Sequence, residues 1–215
     1  MLREVLTQSL VAVSAIFVVV DPFAAVPFFL AMTAEHTPEE RRETAKRAAI
    51  GLILILAGFG LAGALVFRLL GISIPAFKIA GGMLLLLLAV DMVRTRPSPA
   101  RITQPEVDAG AAKEDVAIVP LAMPLLAGPG SIATVIVLMG RARTDDWWRG
   151  LPVLGAVVAT GAATYLVLAG ASRVERVLGR TGMNILDRVA GLLLAAIALQ
   201  FILDGAAEAF PGLVR

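Results

Sequence analysis

The stretch VVVDPFAAVPFFLA, residues 18–31, places a carboxylate and two prolines inside an apolar run that extends over residues 5–31. A second stretch, MPLLAGPGS at residues 123–131, repeats the spacing of the two prolines 102 residues later. A proline inside a helix has no N–H to donate and clashes with the carbonyl four residues earlier. In hydrocarbon, backbone groups freed in this way are tolerated only where protein or a water-filled cavity satisfies them. The two stretches therefore predict interrupted helices at corresponding places in two halves of the chain.

The composition around these stretches is that of a membrane protein. The chain has 215 residues, of which 58% are hydrophobic and 17% charged, with a mean hydropathy of +0.85, whereas soluble domains average about 45–50% apolar and about 25% charged residues. Its basic residues cluster between apolar runs, which favours membrane orientation over nucleic-acid binding. With no cysteine, disulfides, thiolate metal sites and a cysteine nucleophile are excluded. No cleavable signal peptide is evident, so the first apolar run is interpreted as a retained span.

Six apolar stretches are long enough to cross a bilayer, since a spanning helix needs about 20 residues. They cover residues 5–31, 48–70, 75–93, 116–140, 150–171 and 188–209. The connections between them leave no room for a globular domain. We therefore expect a single polytopic membrane domain over residues 1–215.

Two connections are themselves predicted to be helical. Thr37, Pro38 and Glu40 have the spacing of an N-terminal capping box, which predicts a charged helix running into the second span. The connection 172–187 has apolar residues on one helical face and arginines on the other, so it is expected to lie along the membrane surface.

The distribution of Lys and Arg predicts the orientation of the chain. The first, third and fifth connections carry eleven of these residues, and the termini with the fourth connection carry five. Both termini are therefore expected to face away from the cytoplasm.

An internal repeat is the second organising feature. The sequence KIAG at residues 78–81 is similar to RVAG at residues 188–191, which lies 110 residues later. Together with the proline pairs, it predicts one three-helix unit at about 1–95, a connecting loop at 96–115, and a second unit at about 116–215. An odd number of spans per unit forces the second unit to insert upside down. The expected fold is an all-α bundle of six spans in two inverted repeats, with spans one and four broken or kinked near the midplane.

At these residues the chain resembles the MarC family of six-span bacterial membrane proteins. The resemblance rests on DPxxxxP at 21–27, PAFKIAGG at 75–82 running to Asp91, PLAMPLLAGPGSIAT at 120–134, and GLLLAAIALQFI at 191–202. It covers essentially the whole chain, and the block at 120–134 is the most specific part. The resemblance implies a transporter of small neutral amino acids such as glycine and alanine, and a fold related to exporters of the LysE type. It also implies a multi-pass protein of the bacterial plasma (inner) membrane. Ala24 departs from the family, which often has glycine there, so any unwinding is expected to be smaller or centred on Ala25.

The second break is the expected substrate site. If a half-helix restarts near Pro129 or Ser131, its first N–H groups carry the positive end of the helix dipole and suit a carboxylate. Gly128 and Gly130 permit close approach, while Ser131 and Thr134 add hydroxyls. Ala24 and Ala25 are expected to line the substrate site from the first break. The small residues leave room for a small substrate only.

Asp21 is the expected coupling group. A carboxylate within a span is costly unless it is paired or neutralised, and such groups are usually functional. Asp21 could bind a substrate ammonium, or it could be the H+ or Na+ site that couples transport to a gradient. A buried structural hydrogen bond is the alternative.

Several further polar residues and prolines lie within the predicted spans. Pro22, Pro27, Pro124 and Gln200 are candidates for lining the pathway, although Gln200 could instead bond to a neighbouring helix. Lys78 and Arg188 are expected to extend to opposite membrane surfaces, and Glu208 is expected to be solvated. His36, in a connection, has no partner pattern that predicts a metal site.

The residues favour a secondary transporter of small neutral solutes, because interrupted helices at matching places in two halves mark transporter binding sites. A non-transporting assembly or regulatory protein is the alternative, since helix packing alone uses the same small residues. An intramembrane enzyme is disfavoured, because no base lies near a nucleophile in the sequence. No ATP-binding loop is present, so no cofactor is expected beyond a coupling ion. The expected partners are lipid, a small solute and a possible second copy of the chain.

Overall fold

The computed structural model describes residues 2–94, 116–142 and 150–210, and in these ranges the chain forms helices and short connections without any strand. In chain order, the helices are α1 (Leu2–Val20), α2 (Pro22–Met32), α3 (Pro38–Leu70), α4 (Ile74–Val93), α5 (Ala117–Leu126), α6 (Pro129–Ala142), α7 (Leu151–Ala169) and α8 (Ala171–Ala209). The expected all-α class is confirmed for the described residues. The predicted loop at 96–115 lies outside them.

Among the described residues, four helices are long and apolar enough to cross a membrane. They are Pro38–Gly63 within α3, Ile74–Val93, Leu151–Ala169 and Thr181–Ala209 within α8. Helices α5 and α6 make a fifth span if the bent pair is taken as one crossing, and the shorter apolar helix Thr7–Val20 belongs to α1. A multi-pass helical membrane protein is therefore confirmed, and the count of six spans stays a prediction.

The start of α3 follows the predicted capping box. The Thr37 N–H donates to Glu40 Oε2 at 2.7 Å, and the Glu40 N–H donates to Thr37 Oγ1 at 3.3 Å. Pro38 takes the first helical position, where its missing N–H costs nothing. The charged helix that was expected before the second span is thus the beginning of α3 itself.

The connection before the last span is also helical, but it is not one continuous helix. α8 is kinked at Gly179, whose φ of 59° and ψ of −178° leave the helical region. Val174 and Leu178 pack against the core, whereas Val177 is 76% exposed. The apolar face predicted for residues 172–187 is therefore only partly covered within the described chain.

Helix α4 runs antiparallel to the part of α8 that follows the kink at Gly179, in close backbone contact. Three glycines face carbonyl groups of the opposite helix: Gly82 faces Ala198, Gly191 faces Ala89, and Gly205 faces Pro75. A Cβ at Gly82 would lie only 2.7 Å from the Ala198 carbonyl oxygen. Small residues are favoured at such seams because, in lipid, helix association depends on close packing instead of on the hydrophobic effect.

The other helices pack around two apolar clusters. The larger cluster is centred on side chains such as Ile16, Phe29, Leu52 and Leu126, from α1, α2, α3 and α5. α7 closes this cluster against α1 and α3. The smaller cluster joins α4 and α8 to Val19 of α1 and to α6. The last turn of α1 and the helix α6 are thus held between the two halves of the bundle.

Lys78 corrects one expectation. Its side chain is only 3% exposed and its ammonium forms an ion pair with Glu208, whose side chain is half-exposed. Lys78 is therefore buried and paired instead of extended to a surface, whereas Glu208 is exposed, as expected, and is also the partner of Lys78. The antiparallel α4–α8 contact explains this, because it brings the start of α4 beside the end of α8. Arg188, by contrast, is exposed.

Gly82→Ala is expected to destabilise the protein by about 1–3 kcal/mol. The added methyl group would lie too close to the Ala198 carbonyl oxygen, a backbone atom that cannot rotate away. Gly58→Ala is the matched control: a Cβ at Gly58 in α3 would meet nothing within 4 Å. The control should be neutral or stabilising by about 0.5–1 kcal/mol through helix propensity. Thermal unfolding in detergent measures both, and equal melting temperatures for the two variants would contradict the packing assignment.

Candidate functional site

The first helix break lies at Asp21. α1 ends at Val20, and Asp21 adopts a left-handed conformation with φ 47° and ψ 71° before α2 begins at Pro22. Aspartate tolerates this conformation better than most residues, and proline is well suited to the first position of a helix. The rings of Phe17 and Phe23 pack edge to face across the break, with centroids 6.2 Å apart. The local sequence thus both ends one helix and starts the next.

The Asp21 carboxylate caps the second of these helices. Its Oδ1 accepts a hydrogen bond from the Ala24 N–H at 3.3 Å, and the Asp21 N–H donates to the Phe17 carbonyl at 2.9 Å. Asp21 is only 5% exposed. A buried carboxylate therefore sits between two helix ends, where its position satisfies a backbone donor of α2.

Ala24 and Ala25 do not form the break. Both lie inside α2, where Ala24 donates to Asp21 and Ala25 is buried in the core. Of the two alternatives expected, unwinding that is smaller or that is centred on Ala25, the second was wrong: only Asp21 leaves the helical conformation between α1 and α2. The reason is that the left-handed residue is Asp21 itself, so that Pro22 already starts a regular helix. Pro27, in the interior of α2, lies on its exposed face.

The second break separates α5 from α6, whose axes differ by 64°. α5 is irregular: the N–H groups of Leu121 and Ala127 donate to carbonyls five residues earlier, and the backbone of Val119 and Met123 is extended. Pro120 and Pro124, inside α5, each follow a cis peptide bond. The helix ends at Leu126, and α6 restarts at Pro129.

The two hydroxyl groups near this break are bonded to nearby carbonyls. Ser131 Oγ donates to the Leu126 carbonyl across the break at 2.9 Å, and Thr134 Oγ1 donates to the Gly130 carbonyl within α6 at 2.9 Å. Both side chains are buried. Ser131 therefore satisfies a carbonyl at the end of α5, and Thr134 is turned back toward its own helix.

The glycines at the second break allow close approach of neighbouring atoms. A Cβ at Gly128 would lie 2.9 Å from the Pro124 carbonyl oxygen, and one at Gly130 would lie 2.7 Å from the Leu85 side chain. A larger residue at Gly128 would push against the backbone of α5, and one at Gly130 would displace the Leu85 side chain of α4. The start of α6 is thus placed closely against both helices.

A cavity of about 240 Å³ adjoins the start of α6. Its lining consists of Gly128, Pro129, Gly130 and Ser131 together with four apolar side chains, Val19, Leu84, Leu88 and Leu125. The N–H groups of Gly130 and Ser131 belong to the first turn of α6, where the helix offers them no partner of its own. A polar helix end therefore faces an otherwise apolar chamber.

The cavity brings together only part of the predicted site. Four of the predicted substrate residues line it, namely Gly128, Pro129, Gly130 and Ser131. The lining within the described chain does not include the other candidates: Thr134, Ala24, Ala25, Asp21, Pro22, Pro27, Pro124 and Gln200. Asp21 and the start of α6 are thus not joined in one cavity, although Val19 lies close to Asp21 in the chain. The four apolar lining residues were not identified from sequence, because nothing distinguishes one leucine or valine in a span from another.

Gln200 bonds within its own helix. Its amide Nε2 donates to Asp204 Oδ1 at 2.8 Å, one turn further along α8, and the side chain is exposed. This contact within α8 differs from both expectations for Gln200, which were a place along the pathway and a bond to a neighbouring helix. Within the described chain, no group of three His, Cys, Asp or Glu side chains could hold a metal ion.

The roles of Asp21 in structure and in charge can be separated by substitution. Asp21→Asn should leave the melting temperature nearly unchanged, because asparagine caps a helix as well as aspartate and tolerates the left-handed conformation. Asp21→Ala loses both properties and should cost roughly 1–3 kcal/mol of stability. Thermal unfolding of the two purified variants beside the wild type makes the comparison. A loss for asparagine equal to that for alanine would mean that the charge itself holds the fold.

Known proteins are similar to this chain along almost its entire length. A family model described as MarC family integral membrane protein matches residues 6–210. A UPF0056 membrane protein of Methanocaldococcus jannaschii is 43% identical over 91% of this chain and 94% of its own length. A UPF0056 membrane protein of Aquifex aeolicus is 38% identical over 89% and 88%, and YhcE of Escherichia coli, also a UPF0056 membrane protein, is 34% identical over 93% and 92%.

No solved structure matches the chain. The relatives are named as membrane proteins, and their names assign no activity. The family match and the relatives agree with the resemblance that the motifs carried. The chain belongs to the MarC family of integral membrane proteins.

Proposed function

We propose that this protein is a secondary transporter of small neutral solutes, with amino acids such as glycine and alanine as substrates. The observation that carries the proposal is the cavity at the start of α6, where a broken helix presents its first N–H groups to an apolar chamber between helices. Broken helices that point their positive ends at an anionic substrate group are a recurring design in secondary transporters.

The chemistry of the cavity fits a carboxylate on a small body. The N–H groups of Gly130 and Ser131 and the dipole of α6 attract an anionic group. The apolar walls from Leu84, Leu88 and Leu125 provide nothing for a polar or charged side chain. A volume of about 240 Å³ lies below the range of about 300–1,000 Å³ that is usual for ligand pockets. Glycine and alanine satisfy all three conditions.

In this proposal Asp21 couples transport to an H+ or Na+ gradient. It is buried at the other helix break, outside the lining of the cavity, so a role in coupling fits better than contact with a substrate ammonium. Pro22 has no N–H, so the Val18 carbonyl lacks its usual helical donor and is free to share a cation with the carboxylate. Coupling would then link the two breaks through α1, whose Val19 lines the cavity.

We further propose six spans in two inverted repeats, with α1 and α2 forming the first span. Exchanging the two three-helix units pairs α1 with α5, α2 with α6, α3 with α7, and α4 with α8. The contact of α4 with α6 then corresponds to that of α8 with α2, and the contact of α1 with α7 corresponds to that of α5 with α3. The pairs α3–α7 and α4–α8 map onto themselves, as expected for units related by a two-fold axis.

Individual contacts in the α4–α8 seam support the same symmetry. Gly82 contacts Ile202, and Gly191 contacts Met92. The two glycines are 109 residues apart, and Ile202 lies 110 residues after Met92. Both separations lie within one residue of the 110-residue offset between the KIAG and RVAG segments, so closely corresponding positions make similar contacts in the two units.

The proposal places the protein in the plasma membrane of a prokaryote, the inner membrane in a bacterium, with both termini outside the cytoplasm. The arrangement of basic residues supports this orientation. The proposal includes no enzymatic step. His36, between α2 and α3, has its Nδ1 3.5 Å from the Thr44 hydroxyl and lies far along the chain from either break.

A non-transporting assembly or regulatory protein is the second candidate. The specific observation in its favour is that the polar side chains at the breaks bond locally: Asp21 to Ala24, Ser131 to Leu126, and Thr134 to Gly130. Such bonds are sufficient for two structural bends. A transport assay separates the two candidates.

Reconstituted wild-type protein is expected to accumulate radiolabelled glycine or alanine in liposomes that carry an H+ or Na+ gradient. Asp21→Asn should abolish this accumulation and retain exchange of substrate across the membrane, because the substitution removes only the titratable charge. Glu35→Gln is the matched control, since it makes the same change on an exposed residue between α2 and α3. Accumulation that persists in Asp21→Asn would exclude a coupling role. Folded wild-type protein without flux of either amino acid would favour the second candidate.

Filling the cavity tests its role as the substrate site. Leu84→Trp places a larger side chain into the cavity from α4 and should weaken transport by about tenfold, which corresponds to about 1.4 kcal/mol of lost interaction. Leu87→Trp is the control, because Leu87 is 64% exposed on the same helix and does not line the cavity. The ratio of initial uptake rate to substrate concentration measures the effect. Equal rates for the two variants would place the substrate elsewhere.

A further inference from the structure

A second cavity, of about 180 Å³, lies where α2 and α7 end and α3 and α8 begin. It combines polar and apolar walls. Arg41, Arg42 and Ser172 contribute polar groups, and Phe29, Leu30 and Leu168 contribute apolar side chains. Because α2 and α7 are apolar helices that stop here, the cavity lies at the boundary between the membrane and water.

Arg41 is fixed in place by the connection between α2 and α3. Its Nε donates to the Thr33 carbonyl at 2.9 Å, and its Nη2 donates to the Ala34 carbonyl at 3.2 Å. Its Nη1 reaches the Ser172 hydroxyl only at 3.5 Å, the outer limit of a hydrogen bond. A guanidinium has five N–H donors, so Arg41 is held by one edge and keeps donors for a ligand at the other.

The start of α8 adds backbone donors to the same cavity. Gly170 caps the helix, and its carbonyl accepts from the N–H groups of Arg173 at 2.8 Å and Val174 at 3.0 Å. Ala171 and Ser172 come before these bonds at the start of the helix, where N–H groups have no helical partner, and both residues line the cavity together with the arginines. The helix dipole and the guanidinium groups therefore favour an anion at the same place.

Arg42 supplies a second positive charge at the mouth of the cavity. It is exposed and is held in no ion pair with another described residue. No acidic side chain is among the lining residues of the described chain. Two arginines, a hydroxyl and a helix start thus surround a space without a counter-charge.

We propose that this cavity binds the phosphate of an anionic phospholipid, with the lipid chains running along the apolar side past the partly exposed Leu30. Guanidinium groups match phosphate geometry through paired N–H donors. Basic pockets between membrane helices bind anionic headgroups in this way. The apolar wall distinguishes a lipid from a free phosphate, which would gain nothing from it.

Binding of phosphatidylglycerol to the purified, full-length protein in a neutral detergent, followed by native mass spectrometry, tests the site directly. Arg42→Gln should weaken binding about fivefold, the effect expected for one basic residue near a membrane surface. Arg176→Gln is the matched control, because Arg176 is exposed on the next turn of α8 and does not line the cavity. It should change the affinity less than twofold, within the scatter that single exposed charges show.

Three outcomes would overturn the proposal. Equal losses for Arg42→Gln and Arg176→Gln would mean that the lipid follows general surface charge. Binding of phosphatidylcholine as strong as that of phosphatidylglycerol would exclude recognition of net negative charge. Displacement of the lipid by millimolar inorganic phosphate would identify the ligand as a free anion. Since the readout is binding, each outcome is independent of whether the protein transports a solute.

Discussion

The structure depends on satisfying backbone polar groups where its helices stop inside an apolar environment. At the first break the start of α2 leaves N–H groups without partners, and the Asp21 carboxylate supplies an acceptor. At the second break the end of α5 leaves carbonyls without partners, and the Ser131 hydroxyl supplies a donor. One side chain thus accepts a hydrogen bond at a helix start, and the other donates one at a helix end. Because of them, two bends can exist at a depth where an unsatisfied backbone would be costly.

The position of both breaks was predictable from sequence, and their internal geometry was not. Proline spacing indicated where the helices stop, since a missing N–H is a local chemical fact. Which residue leaves the helical conformation is decided by neighbours: Asp21 does so because Phe17 and Phe23 pack across it and Pro22 restarts the helix. For this reason, the alternative in which the unwinding is centred on Ala25 was wrong. The signal that could have identified the break is Asp21 itself, because aspartate tolerates the left-handed conformation and lies directly before the helix-starting Pro22.

Long-range contacts were the other part that sequence could not supply. The glycines of KIAG and RVAG indicated close packing, but only the fold pairs α4 with α8 and so buries Lys78 against Glu208. The apolar walls of the cavity beside Gly128–Ser131 belong to the same category, since they come from three other helices. The motif residues of the second break do line that cavity, because they are contiguous in the chain and need no tertiary contact to stay together.

The seam between α4 and α8 also has a mechanical consequence. At three positions a glycine lies directly against a carbonyl of the other helix, so a change of side-chain rotamers alone would not let one helix slide past the other. The paired segments of the two helices form one rigid unit, joined at one end by the ion pair between Lys78 and Glu208. Any large displacement within the described part of the bundle is then expected where the backbone departs from regular helix: at Asp21, within residues 119–128, and at Gly179. These segments would act as hinges, and the other helices would move relative to the rigid pair of α4 and α8.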